Sequence, residues 1–222
     1  MMRTLSYEEA RAFYDWFGAR QDSQGFYEDP ALSDLVAHAD FGEARSVFEF
    51  GCGTGRFAKR LLSDCLPSDC RYQATEISTT MVRLAQARLA PWAERAHVAL
   101  TSGAISVPAP DARFDRFITC YVLDLLSEPD ICQLLAEANR VLMPGGLLCV
   151  TGSTRGGSLS ARIVGMLWQA LFRLQPKLVG GCRAIVARKY LGDRDWSVRY
   201  LNVLTRFGIS SEVLVACSTR TG

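Results

Sequence analysis

Apolar and polar positions alternate along this chain in two rhythms. From Tyr7 to Phe17 the apolar residues recur at helical spacing. Ser6 followed by Glu9 makes a capping box, so a helix is predicted through Phe17. A short helix is expected after Pro30, through "ALSDLVAHA". Strand-like runs at 46–51, 71–76, 96–101, 114–120 and 146–152 then alternate with helical patterns at 55–64, 78–90 and 128–142. Short loops between such elements are the mark of βαβ units, which place helices on both faces of a parallel sheet. Two last strand-like runs, 196–204 and 211–219, flank Gly208 and predict an antiparallel hairpin at the sheet edge. The fold class read from this pattern is α/β, a doubly wound, mostly parallel seven-stranded sheet with an antiparallel C-terminal hairpin. Between sheet and hairpin, "TGSTRGGSLS" reads as a loop, and "ARIVGMLWQALFRL" as a helix apolar nearly all round, with Arg162 and Arg173 at its ends. That helix is too short to span a bilayer and reads as a buried crossover or lid, or else as an interfacial helix.

Composition adds bounds. The 222 residues, 49% hydrophobic and 22% charged, suit one domain over 1–222 with a substantial core. The first 17 residues form a charged amphipathic stretch with no apolar signal region, so a cytoplasmic protein is expected. Eight cysteines are scattered without a CxxC pair, and only His38 and His97 accompany them, so neither a disulfide framework nor a metal site is expected. Charge is uneven. Residues 1–151 carry 14 basic and 20 acidic side chains, a net of −6, while 152–222 carry 11 basic and 3 acidic, a net of +8. The basic third is consistent with an anionic partner, or with a solvated basic face.

The most informative stretch is "VFEFGCGTGRF", Val47 to Phe57. A strand-forming run enters Gly51, Gly53 and Gly55, and a helix follows. Glycines admit positive φ and close ligand approach, and the free N–H groups at a helix start favour polar or anionic groups. The spacing is ExGxGxG from Glu49, not the dinucleotide GxGxxG, because Arg56 stands at the third glycine position. No Walker lysine follows. An acid beside open backbone suits a ligand bearing both an amine and a carboxylate.

These residues resemble the first motif of the class I S-adenosylmethionine-dependent methyltransferases. The resemblance continues through "YQATEIS", "MVRLAQARL", "VPAPDARFDRF" and "RVLMPGGLLCV", four further stretches in order up to about residue 151. It implies a Rossmann-like core over 45–151, a helical lid over 1–44 and a substrate side over 152–222. It implies S-adenosyl-L-methionine as cofactor, with S-adenosyl-L-homocysteine as product. Carried over position by position, the cofactor-binding residues are Glu49, Gly51, Cys52, Gly53, Thr54, Gly55, Glu76, Ile77, Met81, Gly103, Ala104 and Cys120. Glu76, 21 residues beyond Gly55, would accept from the ribose hydroxyls. One departure stands out. The family's acceptor for the adenine amine is an acid, and the aligned position here is Gly103, followed by Ala104.

Methyl transfer from a sulfonium depends on positioning and exclusion of water more than on a fixed triad. Acceptor-side candidates follow the fourth strand: Tyr121 and Asp124, the latter a general base or simply a helix-start acid. The aromatic and amide-rich stretch "FYDWFGARQDSQGFYEDP" supplies the lid, with Tyr14, Gln21, Gln24 and Tyr27, and Arg183 joins from the basic third. The expected acceptor is a small molecule and not nucleic acid; in one version it is anionic or lipid-like, a phospholipid or isoprenoid-quinone precursor, with peripheral membrane contact. Two other readings compete: a nicotinamide-dependent oxidoreductase, disfavoured by Arg56, and a non-catalytic binding protein that keeps the fold, favoured by Gly103.

Overall fold

A computed structural model describes residues 4–156, 166 and 181–220 of the chain. The apolar run 161–174 therefore lies, apart from Met166, outside the described residues. So does the crossover, lid or interfacial helix read there.

Strands β1 (Ser46–Phe50), β2 (Arg71–Glu76), β3 (Ala96–Leu100), β4 (Phe114–Cys120), β5 (Leu142–Thr154), β6 (Trp196–Arg206) and β7 (Ile209–Ser218) form one sheet in the order β3-β2-β1-β4-β5-β7-β6. The first five are parallel, and β7 runs antiparallel to both β5 and β6. The doubly wound seven-stranded sheet and its antiparallel hairpin are present as read from the sequence. Period-two alternation splits the central strands between two cores. Leu147, Cys149, Val213 and Val215 enter one cluster, while Leu148, Val150, Leu214 and Ala216 enter the other. A sheet buried on both faces thus reads as an unbroken apolar run.

Helix α1 (Tyr7–Phe17) has the expected capping box, Ser6 Oγ accepting from Glu9 N and Glu9 reaching back to Ser6 N. Three boundaries differ from the sequence reading. Helix α2 runs Gly25–His38, five residues ahead of Pro30, and follows a 3₁₀ stretch at Gly18–Gln24. Pro30 forgoes one backbone hydrogen bond. Burial of Ala31, Leu32 and Leu35 against the sheet keeps the helix through it. The helix after the glycine turn, α3, is α-helical only over Arg56–Arg60 and closes with a π turn at Leu61–Cys65. Strand β5 starts at Leu142, directly after α5 (Glu128–Val141), because Leu142 pairs with Phe114 before the register shifts across the Pro-Gly-Gly segment. The remaining helix, α4 (Thr79–Leu89), takes Ser78 as its N-cap, with Ser78 Oγ accepting from Met81 N.

The segment read as a lid over 1–44 divides in two. Helix α1 has no buried residue and lies across the ends of β2 and β3. Helix α2 is a packed layer on the sheet.

Candidate active site

The loop from β1 to α3 carries the three glycines, all with positive φ: 78° at Gly51, 54° at Gly53 and 73° at Gly55. They do different work. Gly51 and Gly53 line the main cleft. Gly55 does not, and a Cβ there would lie 3.0 Å from the Cα and Cβ of Ala85 on α4. Its lack of a side chain serves helix packing as well as the left-handed turn.

The cleft opens at the carboxyl ends of β1, β2 and β4, where an open α/β sheet presents its ligands. At its centre Glu76 ends β2, nearly fully buried, and accepts from three backbone donors: Gly53 N at 2.9 Å, Ile77 N at 2.8 Å and Ser78 N at 3.0 Å. Burial raises its pKa and those three donors oppose the rise. The carboxylate therefore ties the glycine turn to the end of β2. Thr75, Ile77 and Met81 continue the wall, and Gly103 and Ile105 close one end. Val122, Leu125, Leu126 and Leu5 add an apolar stretch to the lining.

Gly103 has φ +99, and a Cβ there would fall 2.9 Å from Tyr7 Cβ and Cγ and from Ile77 Cδ1. With Tyr7 in this place the position has no room for an acidic side chain. The carboxylate present at this end is Asp130, which lines the cleft and accepts hydrogen bonds from the Ser127 and Tyr7 side chains. Ala104 is exposed and lies outside the cleft wall.

Helix α1 forms the roof through polar contacts. Asp15 accepts from Ser78 Oγ at 2.6 Å and Thr80 N at 3.0 Å, while Arg11 donates to the carbonyls of Ile77 and Thr101 at 3.1 and 3.2 Å. Tyr14 and Gln21 reach the cleft. Gln21 Oε1 is buried and has no protein partner, so the site contains a polar acceptor waiting for a donor. Gln24 lines neither this cleft nor the pocket beside it.

That second, polar pocket adjoins the first and shares Gln21, Gly51, Gly53, Cys120 and Tyr121 with it. Glu49, Cys52 and Thr54 belong to this pocket and not to the main cleft. Glu49 accepts from the Tyr72 hydroxyl, and burial raises its pKa to about 7. Glu28 is also raised to about 7 by burial, against the opposing charge of Arg56, which pairs with it at 3.0 Å. Thr54 Oγ1 donates to Asp22 at 2.6 Å and accepts from Arg88 at 2.7 Å, which fixes the turn to α4. Burial pushes the Cys52 and Cys120 thiols well up, so neither is a ready nucleophile.

After β4, Tyr121 lines both pockets in a left-handed conformation (φ 56). Its hydroxyl shares a 2.8 Å hydrogen bond with Ser211 Oγ on β7, and its ring meets Tyr27 edge-on at 5.9 Å. Tyr27 does not itself line either pocket. Asp124 is fully buried, has a pKa raised to about 6 by burial, accepts from Ser153 N at 3.3 Å and is not part of the cleft wall. Arg183 donates to the Leu126 carbonyl, and its backbone N donates to the Asp124 carbonyl at 3.1 Å, so it holds the loop after β4. Sequence reasoning missed Leu5, Tyr7 and Asp130, which enter through long-range contacts that leave no local pattern.

Residues 47–146 match the family model described as a methyltransferase domain. That stretch is similar to a methyltransferase domain, and the sheet around it has the class I methyltransferase fold. Among solved structures, the methyltransferase fold aligns with the N-methyltransferase NodS from Bradyrhizobium japonicum WM9 at a TM-score of 0.66 and 16% identity, covering 90% of this chain and 99% of that one. NodS has also been solved with S-adenosyl-L-homocysteine. Two curated relatives are the malonyl-[acyl-carrier protein] O-methyltransferase of Hahella chejuensis and the tRNA N(3)-methylcytidine methyltransferase Mettl2 of Drosophila melanogaster. The first is 30% identical over 147 residues, 66% of this chain and 48% of the relative. The second is 24% identical over 151 residues, 63% of this chain and 46% of the relative. The chain thus spans about half the length of these curated relatives, and their acceptors differ widely in chemistry.

Proposed function

We propose that this methyltransferase domain binds S-adenosyl-L-methionine in the main cleft and its polar side pocket, and directs the methyl group to a small-molecule acceptor. The sulfonium supplies an activated methyl electrophile, leaving S-adenosyl-L-homocysteine. The observation that carries the reading is the set of surfaces that one cleft brings together: open glycine backbone at Gly51 and Gly53, the Glu76 carboxylate, and apolar wall at Ile77 and Ile105 beside Gly103. In this reading Gln21 Oε1 and the Glu49 pocket take the amino-acid end, and Glu76 faces the ribose. Asp130 supplies the carboxylate at the end where Gly103 has none. Helix α1 excludes water, and Tyr14 and Tyr121 shape the acceptor's approach.

A lipid-like acceptor is the favoured version, because Leu5, Val122, Leu125 and Leu126 give the cleft an apolar stretch of wall. The non-catalytic reading loses its main support, since Tyr7 and Asp130 fill the place that Gly103 leaves. Thermal unfolding with S-adenosyl-L-homocysteine, with NADH and without ligand tests the assignment. At about 100 times its dissociation constant a ligand adds roughly 2.7 kcal/mol, a visible rise in the midpoint. The rise is expected with the sulfur ligand alone and is lost in Gly53→Arg. A rise with NADH, or with neither ligand, would reject the reading.

A further inference from the structure

The β6–β7 hairpin turns at Phe207 and Gly208, both with positive φ, 50° and 79°. A two-residue turn of this kind favours Asn-Gly, because asparagine tolerates the left-handed region and a bulky aromatic does not. Phenylalanine stands at the disfavoured position, and with 78% of its surface exposed it is the most exposed large hydrophobic residue described. Its ring meets Phe26 of α2 at 5.7 Å, and Phe26 is itself 56% exposed. Two aromatic rings thus form one solvent-facing wedge at a backbone position that gains nothing from either. Strain combined with exposed apolar surface points to a contact made outside the chain.

The register places this wedge. Thr154, the last residue of β5, pairs with Ser210, so the turn at 207–208 projects past the carboxyl ends of the parallel strands. This is the edge on which the cleft opens. Phe26 precedes Tyr27, whose ring packs on Tyr121 in the cleft wall. Beside the wedge, exposed Arg206 makes no ion pair among the described residues. Arg155, which follows Thr154 at the same edge, is exposed as well.

We infer that the Phe207–Phe26 wedge with Arg206 docks this domain on an anionic lipid bilayer, cleft edge toward the membrane. Aromatic rings at a turn tip enter the headgroup boundary, while Arg206 and Arg155 are drawn to anionic lipid. Docking at this edge would let an amphiphilic acceptor pass from bilayer to cleft without crossing water. The inference concerns binding to a surface and does not depend on the methyl-transfer reading, which the thermal experiment tests separately.

The test is flotation with phosphatidylglycerol–phosphatidylethanolamine vesicles and with phosphatidylcholine vesicles, at low and high salt. The informative variant is Phe207→Asn, which creates the favoured turn and therefore folds at least as well as the parent, as its thermal midpoint will report. The parent is expected to float with the anionic vesicles and to be released by salt. Phe207→Asn should bind roughly tenfold more weakly, Phe207→Trp should retain binding, and Arg206→Glu should weaken it on anionic vesicles. No binding by the parent, or equal binding by parent and Phe207→Asn, overturns the proposal. So does a dimer that Phe207→Asn dissolves when the parent does not float, because a second copy would then be what covers the wedge.

Discussion

At the scale of single residues, buried acids make this protein sensitive to pH. Glu49 is 2% exposed, with an ordinary value of 4.5 raised to about 7 by burial, and the Tyr72 hydroxyl only partly offsets that. Its folded form holds a proton that the unfolded chain gives up near 4.5. The stability this contributes is present in full below that value and is lost as pH rises towards about 7. Glu28 and Asp124 act in the same direction. Glu49→Gln keeps an acceptor for Tyr72 and removes the penalty. Its melting temperature should gain on the parent between pH 5 and pH 8, by about 2–4 °C for each kcal/mol recovered. Parallel curves for the two proteins would refute this. Gly55 is the second residue-scale case. Alanine there combines φ +73 with a 3.0 Å approach to Ala85, so Gly55→Ala should lower stability by about 2 kcal/mol in urea titrations, and Gly145→Ala, with nothing within 4 Å, should cost less.

At the scale of elements, α1 differs from α2, α3, α4 and α5 in having no buried residue. The Asp15 bonds to Ser78 and Thr80 and the Arg11 bonds to two carbonyls position it, and no side chain of it is fully buried. Elements with little apolar burial open at low free energy. Amides of Tyr7–Phe17 should exchange with deuterium well before those of β4, and S-adenosyl-L-homocysteine should slow them if α1 closes the site. Asp15→Ala should speed that exchange and weaken ligand binding several-fold while the global melting temperature moves little. Much of the element level was legible in the sequence. The capping box at Ser6, the alternation of strand and helix, and the hairpin around Gly208 are local patterns, and each stands where it was read. The start of α2 was not legible, because burial of Ala31, Leu32 and Leu35 outweighs the local signal of Pro30. The start of β5 was hidden in the same way, since its pairing across Pro-Gly-Gly depends on a partner strand. The site was half legible. The glycine turn and Glu76 announce themselves by spacing, whereas Tyr7, Asp130 and the Arg11 ties join residues tens of positions apart.

At the scale of the whole molecule, the sheet depends on β7, which is covered on both faces and paired on both edges. Val213, Leu214, Val215 and Ala216 are all 0% exposed. Leu214→Ala should therefore cost about 2–5 kcal/mol, more than the same change at the exposed Leu201 of β6, as chemical denaturation would show. No helix among the described residues is long and apolar enough to cross a membrane.

The strand order has a consequence for how the chain is made. Strand β6 leaves the ribosome before β7, yet among the described strands its sole neighbour is β7, and β5 likewise waits for β7 to cover its open edge. While β6 is emerging, the growing polypeptide carries two unpaired strand edges, with the apolar rows of β5 exposed between them. Until the last inner strand arrives, a nascent chain of this protein is a natural client for chaperones that shield strand edges.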